Sequence, residues 1–198
     1  MGTEDINAKK EVSQQSKGKC GSSIWVLEWL ETIAVAFAIV TIVFTFITRV
    51  ITVDGISMEP TYFDGDRVLV TSLAGPARQG DVVIIVHALE NTIIKRVVAT
   101  EGQWVDFDSE TGELTVDGET LPGEEFGIEN GITFVPERPG MVGEFPQQVP
   151  EGCVFVLGDN RPHSTDSRYL SVGMVDRRNI LGRVVFNLFP LSKIGIVR

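Results

Sequence analysis

Cysteine and histidine are scarce in this chain, with two of each in 198 residues. Cys20 and Cys153 lack the short spacing of paired zinc ligands, and His87 and His163 are too few and too scattered to complete a metal cage. We therefore expect no metal site and no cofactor.

Basic residues are also in short supply. Lys and Arg number 17 against 27 Asp and Glu, and the net charge is -10 at pH 7. There is neither a glycine-rich phosphate loop nor a basic patch interleaved with aromatic residues. The sequence therefore argues against nucleic acid as a partner.

The acidic residues are concentrated in residues 101–151, where Arg138 is the single basic residue. Such a concentration is typical of a solvated face, although it could also repel the segment from anionic lipid headgroups. The sequence Val116-Asp117-Gly118-Glu119 has the composition of a hairpin turn. We predict an acidic β-ribbon insertion at about residues 103–151.

Long apolar runs are confined to the N-terminal region. Residues 32–48 contain no charged side chain, and residues 24–30 extend the run with only Glu28 and Glu31 interrupting it. This length is enough to cross a bilayer, so we predict a transmembrane anchor helix over residues 24–48.

The charges around this span predict its orientation. Several lysines precede it and Arg49 alone follows closely, so residues 1–23 are expected in the cytoplasm and the rest outside the plasma membrane. The lysines are Lys9, Lys10, Lys17 and Lys19. A cleaved signal peptide is the alternative, but the bulky residues 45–51 lack a small-residue cleavage pattern. The two cysteines then lie on opposite sides of the membrane and cannot pair.

Beyond the span the pattern is that of a β protein. Short runs rich in Val and Ile alternate with turn-forming clusters, and no long stretch has helical periodicity. The predicted strands are residues 50–53, 68–71, 82–86, 92–98, 114–116, 154–157 and 184–186. We predict a compact, mainly antiparallel β domain over residues 49–198.

A lysine inside one of these runs is the main chemical clue. Strand alternation places Lys95 on the same face as Ile93 and Val97, which solvate an ammonium group poorly. Such burial lowers the pKa of a lysine, and a neutral amine can act as the general base for a serine such as Ser57. His163, in a polar turn-like segment, is the alternative base. We prefer Lys95, and predict a serine–lysine hydrolase.

Four sequence blocks, in this order, resemble the conserved boxes of the type I signal peptidases. They are residues 55–61 (GISMEPT), 80–83 (GDVV), 95–102 (KRVVATEG) and 158–168 (GDNRPHSTDSR). With the anchor before them they cover most of the chain, and four motifs in register are highly specific. The resemblance implies the signal-peptidase fold and a membrane-bound serine endopeptidase that removes signal peptides from exported preproteins.

The resemblance also implies roles for individual residues. Ser57 would attack the scissile carbonyl, Lys95 would take its proton, and Ser164 would orient the Lys95 amine through a hydrogen bond. The Ser57 N–H is the expected oxyanion donor. Gly55 stands where some relatives have a serine that donates a second hydrogen bond, which leaves the second donor open.

Residues around this pair are assigned on the same resemblance. Asp166 and Arg168 would form a supporting ion pair, and Asp159 and Asn160 would shape the turn, or all four would act only through the fold.

The resemblance also implies cleavage after Ala-x-Ala-type sites, which requires shallow apolar pockets and an extended substrate along a strand edge. Val53, Met58 and Ile94 are candidate pocket walls, with core packing as the alternative. Preproteins and the lipid bilayer are the expected partners.

Two other functions are compatible with parts of this pattern. A self-cleaving, repressor-type serine–lysine protease would be soluble and carry a DNA-binding helical domain, of which the sequence has no sign. An inactive membrane-anchored partner would present substrates or assemble a surface structure, but retention of Ser57 and Lys95 argues against it.

Overall fold

The computed structural model describes residues 25–42, 47–86, 91–108, 110–121, 132–134 and 141–197. The chain divides into two compact units, residues 1–46 and 47–198.

The described part of the first unit is a single apolar helix, α1, which spans Trp25–Ile42. Its 18 residues rise about 27 Å, close to the thickness of the hydrocarbon core of a bilayer. None of it is buried within the described part of the chain. The predicted bound at residue 48 is too late, because Thr48 begins the first strand. The lysines that predict the orientation lie outside the described residues.

The second unit is built from strands, with short 3-10 turns between some of them. The strands are β1 (Thr48–Thr52), β2 (Arg67–Thr71), β3 (Val82–Ile85), β4 (Ile93–Thr100), β5 (Trp104–Phe107), β6 (Leu114–Val116), β7 (Glu119–Thr120), β8 (Gln147–Gln148), β9 (Cys153–Leu157), β10 (Val175–Asp176), β11 (Ile180–Phe189) and β12 (Gly195–Ile196).

These strands form two antiparallel sheets. The larger has the order β1-β2-β11-β3-β4-β9-β10, with β12 paired to β11, and the smaller has the order β7-β6-β5-β8. The prediction of a mainly antiparallel β fold with an N-terminal apolar helix is confirmed. The central strands β3 and β4 are buried on both faces, which explains why their sequences are continuous apolar runs.

The strands of the smaller sheet all lie within the acidic segment. The predicted hairpin is present, since Val116 pairs with Glu119. Its central residues Asp117 and Gly118 have φ of 54° and 80°, as a type I′ turn requires. The inward side chains of Val105 and the neighbouring strand β6 pack against β9, which holds the acidic sheet on the main core. Whether this sheet is an insertion stays a prediction.

One stretch of β4 lacks a neighbour on one side. Pairing between β4 and β9 begins at Arg96, opposite Leu157, so residues 93–95 pair only with β3 among the described strands. Strand β1, at the end of the larger sheet, is also paired on only one side by the strands that the structure describes. The sheet therefore leaves backbone groups available beside Lys95.

Candidate active site

Ser57 lies on a turn that the core holds in place. Met58 is fully buried and Tyr62 is 1% exposed, and the Tyr62 N–H donates to the Met58 carbonyl at 2.9 Å. Gly55 has φ of 86°, a left-handed conformation that favours glycine, and nothing lies within 4 Å of the position of an added Cβ. The turn therefore presents a half-buried Ser57 beside open space.

Lys95 meets Ser57 at this turn. The Lys95 Nζ lies 2.8 Å from the Ser57 Oγ and 2.9 Å from the Ile94 carbonyl oxygen. The lysine is 3% exposed. Burial lowers its pKa to about 8, against the opposing effect of the Asp166 and Asp159 carboxylates. A lysine with this pKa is neutral in about a tenth of molecules at pH 7, and a neutral amine at this distance can accept the serine proton.

Ser164 lies next to this pair but does not make the expected bond. Its side chain is buried at 5% exposure, and its Oγ has no hydrogen-bond partner among the described residues. Gly158 packs directly against it, since a Cβ added there would overlap the Ser164 Oγ and lie 2.5 Å from the Ser57 carbonyl oxygen. The implied hydrogen bond from Ser164 to Lys95 is therefore not formed in this arrangement, and its orienting role stays a prediction.

The ion pair between Asp166 and Arg168 is present and buried. Arg168 Nε and Nη2 lie 2.8 and 3.0 Å from the two Asp166 oxygens. The other Arg168 nitrogen donates to the Phe134 carbonyl at 2.8 Å, and the Asp166 carboxylate also accepts the Gly158 N–H at 3.1 Å. This bidentate geometry fixes the strand end that contacts Ser57.

A second buried ion pair was not assigned from the sequence. Arg96, which follows Lys95, donates from Nε and Nη2 to Asp159 at 2.9 and 2.7 Å. Thr61 donates to the same carboxylate at 2.6 Å. Asp159 therefore ties the base strand to the end of the nucleophile turn, beyond the turn-shaping role expected for it. The sequence feature that could have indicated this ion pair is Arg96 itself, a second cationic residue in the apolar run that contains Lys95.

Asn160 connects the last block to the nucleophile turn. Its Nδ2 donates to the Ile56 carbonyl at 3.1 Å, and its N–H donates to the Ser57 carbonyl at 3.1 Å. His163 is exposed, and its Nδ1 lies 3.0 Å from the Asn160 Oδ1. The His163 ring therefore contacts Asn160, and the basic side chain that contacts Ser57 is that of Lys95.

The pair opens into a cleft of about 470 Å³ between β1 and the open stretch of β4. Val53 and Ile94 line it, as expected, together with Ser57 and Lys95. Met58 does not, because it is fully buried in the core beneath the turn. Polar lining comes from Thr52, Asp54, Asn91 and Thr92, which the sequence pattern did not single out. The cleft is largely apolar and lies beside an open strand edge, as an extended peptide with small side chains requires.

The chain is similar in sequence to known proteins of one family. The family model described as "Signal peptidase, peptidase S26" matches residues 26–189. Signal peptidase I of Bacillus licheniformis is 32% identical over 174 residues, covering 85% of this chain and 91% of that protein. Signal peptidase IB of Staphylococcus aureus (strain COL) is 34% identical over 178 residues, covering 85% and 92%.

A solved structure is also similar. The crystal structure of a signal peptidase I from Enterococcus faecalis V583 matches with 24% identity and a TM-score of 0.38, covering 54% of this chain and 94% of that one. The family match from residue 26 to residue 189, together with relatives above 30% identity along most of their length, shows that the chain belongs to the type I signal peptidase family, peptidase S26.

Proposed function

We propose that this chain cleaves signal peptides from exported preproteins with a Ser57 nucleophile and a neutral Lys95 base. The observation that carries the proposal is the 2.8 Å contact between the Lys95 Nζ and the Ser57 Oγ, with the lysine almost completely buried. In the first step Lys95 takes the proton of Ser57 as the Oγ attacks the scissile carbonyl. Lys95 then returns the proton to the leaving amine, and a water repeats the sequence to release the acyl group.

The oxyanion of the intermediate needs hydrogen-bond donors at the turn. The Ser57 N–H donates to no other described residue, so it is free for this role. Gly55 offers no side-chain donor but leaves room for the substrate backbone. The Ser164 Oγ has no competing hydrogen-bond partner among the described residues. A rotation of this hydroxyl toward Lys95 would let Ser164 orient the amine.

Substrate selection would rest on the size of the cleft beside Ser57. We propose that Val53 and Ile94 form walls that accept the small side chains of an Ala-x-Ala-type site. Met58 would not touch the substrate. Its buried side chain would instead hold the Ser57 turn in position against the core.

Enlarging the residue before the cut is expected to weaken cleavage. An Ala→Phe change in a labelled preprotein forces a large ring against the cleft walls, and the misfit of about 1–3 kcal/mol lowers kcat/KM roughly 10- to 200-fold. The measurement is cleavage by the purified full chain in detergent, with Ser57→Ala enzyme as the blank. An Ala→Ser substrate is the matched control and should be cleaved nearly as well. Equal cleavage of the Ala and Phe substrates would contradict the specificity.

We further propose that α1 anchors the chain in the plasma membrane as a single span, with residues 1–23 in the cytoplasm and the β unit outside. The apolar helix and the lysines before it support this orientation. Signal peptides emerge on the outer face, where the cleft would meet them. No metal or cofactor is required by the proposed steps, and chelators are expected to leave activity unchanged.

Protease added to intact, wall-stripped cells is expected to digest residues 101–151 while residues 1–20 stay protected. The reason is the orientation that the lysines impose on the span. Immunoblotting with antibodies to each segment measures the result, and lysed cells, in which both segments are digested, are the control. Protection of the acidic segment until lysis would reverse the topology.

A further inference from the structure

A second cavity, of about 210 Å³, lies between β11 and the loop of residues 72–77 that follows β2. Its polar lining comes from Thr71, Ser72, Arg177 and Arg183. It shares no described lining residue with the catalytic cleft, so the proposed function makes no use of it.

Both guanidinium groups at this cavity keep free donors. Arg183 contacts Asp81 through Nη1 alone, at 2.9 and 3.1 Å from the two carboxylate oxygens. Arg177 Nη1 lies 3.2 Å from an oxygen of Glu101, whose side chain is 43% exposed. A guanidinium carries five N–H donors, so one carboxylate contact leaves most of them unused.

One of these donors is buried without an acceptor. Arg177 Nε has no hydrogen-bond partner among the described residues although it is inaccessible to solvent. Buried donors in folded proteins are almost always paired. Because this atom has no accessible surface it does not itself face the cavity, so the donors open to a ligand belong to the parts of the Arg177 and Arg183 side chains that are exposed, 28% of each.

We propose that this cavity binds one phosphate group, either free or as the headgroup of an anionic phospholipid. The donors come from three elements, the loop after β2, the turn after β10 and β11, and so suit oxygens that do not lie in one plane. The cavity is smaller than the roughly 300–1,000 Å³ of typical small-molecule pockets, which fits a single group and excludes a larger ligand. The protein is acidic overall, so binding depends on these donors rather than on net charge.

The test is calorimetric titration of the full chain in a neutral detergent, with inorganic phosphate in one arm and short-chain phosphatidylglycerol in the other. Wild type should show saturable binding in at least one arm. Saturation by both ligands identifies a free-phosphate site, and saturation by the lipid alone identifies a headgroup site. Absence of saturable binding in both arms overturns the proposal.

Arg177→Gln should weaken binding at least tenfold. The neighbouring Arg178 is the matched control, because its side chain is 90% exposed, pairs with Asp176 and does not line the cavity. Arg178→Gln removes the same charge and should bind as wild type does. Equal affinity of the Arg177 variant and wild type would overturn the site.

Ser72→Asp provides a second test, in which the substituted side chain is exposed and not buried. Ser72 is exposed, so the change should leave folding intact while placing a negative charge at the cavity. It should abolish binding, and retained binding would contradict the proposal. Preprotein cleavage by all three variants is expected to match wild type, so failure of this site and failure of the proposed protease activity are separate outcomes.

Discussion

Replacing Lys95 with arginine is expected to lower kcat/KM on a preprotein by about 10²–10⁴-fold, as much as replacing it with alanine. A guanidinium keeps its positive charge and cannot accept the Ser57 proton, so retaining the charge does not retain the base. The measurement is preprotein cleavage by purified variants, with circular dichroism to show that each is folded. Substantial activity of Lys95→Arg would exclude the serine–lysine mechanism.

The pH profile of the wild-type enzyme tests the same base. Burial lowers the pKa of Lys95 to about 8, and the neutral form is the one that the proposed mechanism requires. We therefore expect kcat/KM to fall about tenfold per pH unit below that pKa and to level off above it.

His163→Ala is the control for this profile. Its ring contacts Asn160 and not the serine, so the variant should keep both its activity and the acidic limb of the profile. Loss of the limb in this variant would instead assign the titration to the histidine.

Adding a single methyl group at Gly158 is expected to cost about 10²-fold in kcat/KM. A Cβ there would overlap the Ser164 Oγ and lie 2.5 Å from the Ser57 carbonyl oxygen, so the nucleophile turn must move away from the last block. A displacement near 1 Å at a catalytic group is enough for such a loss. The effect should appear in kcat, because the substrate cleft between β1 and β4 is not filled by the methyl group.

Gly195→Ala is the matched control for Gly158→Ala. Nothing lies within 4 Å of its added Cβ, and its backbone is not in the left-handed region. Thermal melting should show both variants folded, with only Gly158→Ala impaired in cleavage. Equal activity of the two variants would mean that the contact between Gly158 and Ser57 is unimportant.

The sequence could predict the strands with strong Val and Ile content. Strands β2, β3 and β9 lie close to their predicted positions, because buried strands need apolar residues in unbroken or alternating runs. Strand β5 was missed, since its exposed face carries Trp104 and Asp106 and one of its two partners, β8, is distant in sequence. Pairs between distant segments have no local signature.

The candidate active site shows the same division. Ser57 and Lys95, which the structure places 2.8 Å apart, were predicted as a pair because a lysine in an apolar strand is chemically unusual and because the four sequence blocks resemble those of the family. The ion pair of Arg96 with Asp159 could not be derived, because it joins residues 63 positions apart. Met58 was misplaced at the cleft for a related reason: proximity to Ser57 in sequence does not determine which side of a turn a side chain takes.

The stretch of β4 beside Lys95 that pairs on one side only suggests how one enzyme could cleave many different preproteins. An extended peptide that joins this edge would be held by main-chain hydrogen bonds, which every sequence can make. Side-chain identity then matters only at the few positions facing the cleft walls. Tolerance of divergent preproteins would be a property of the open strand, while accuracy at the cut site would be a property of the cleft walls at Val53 and Ile94.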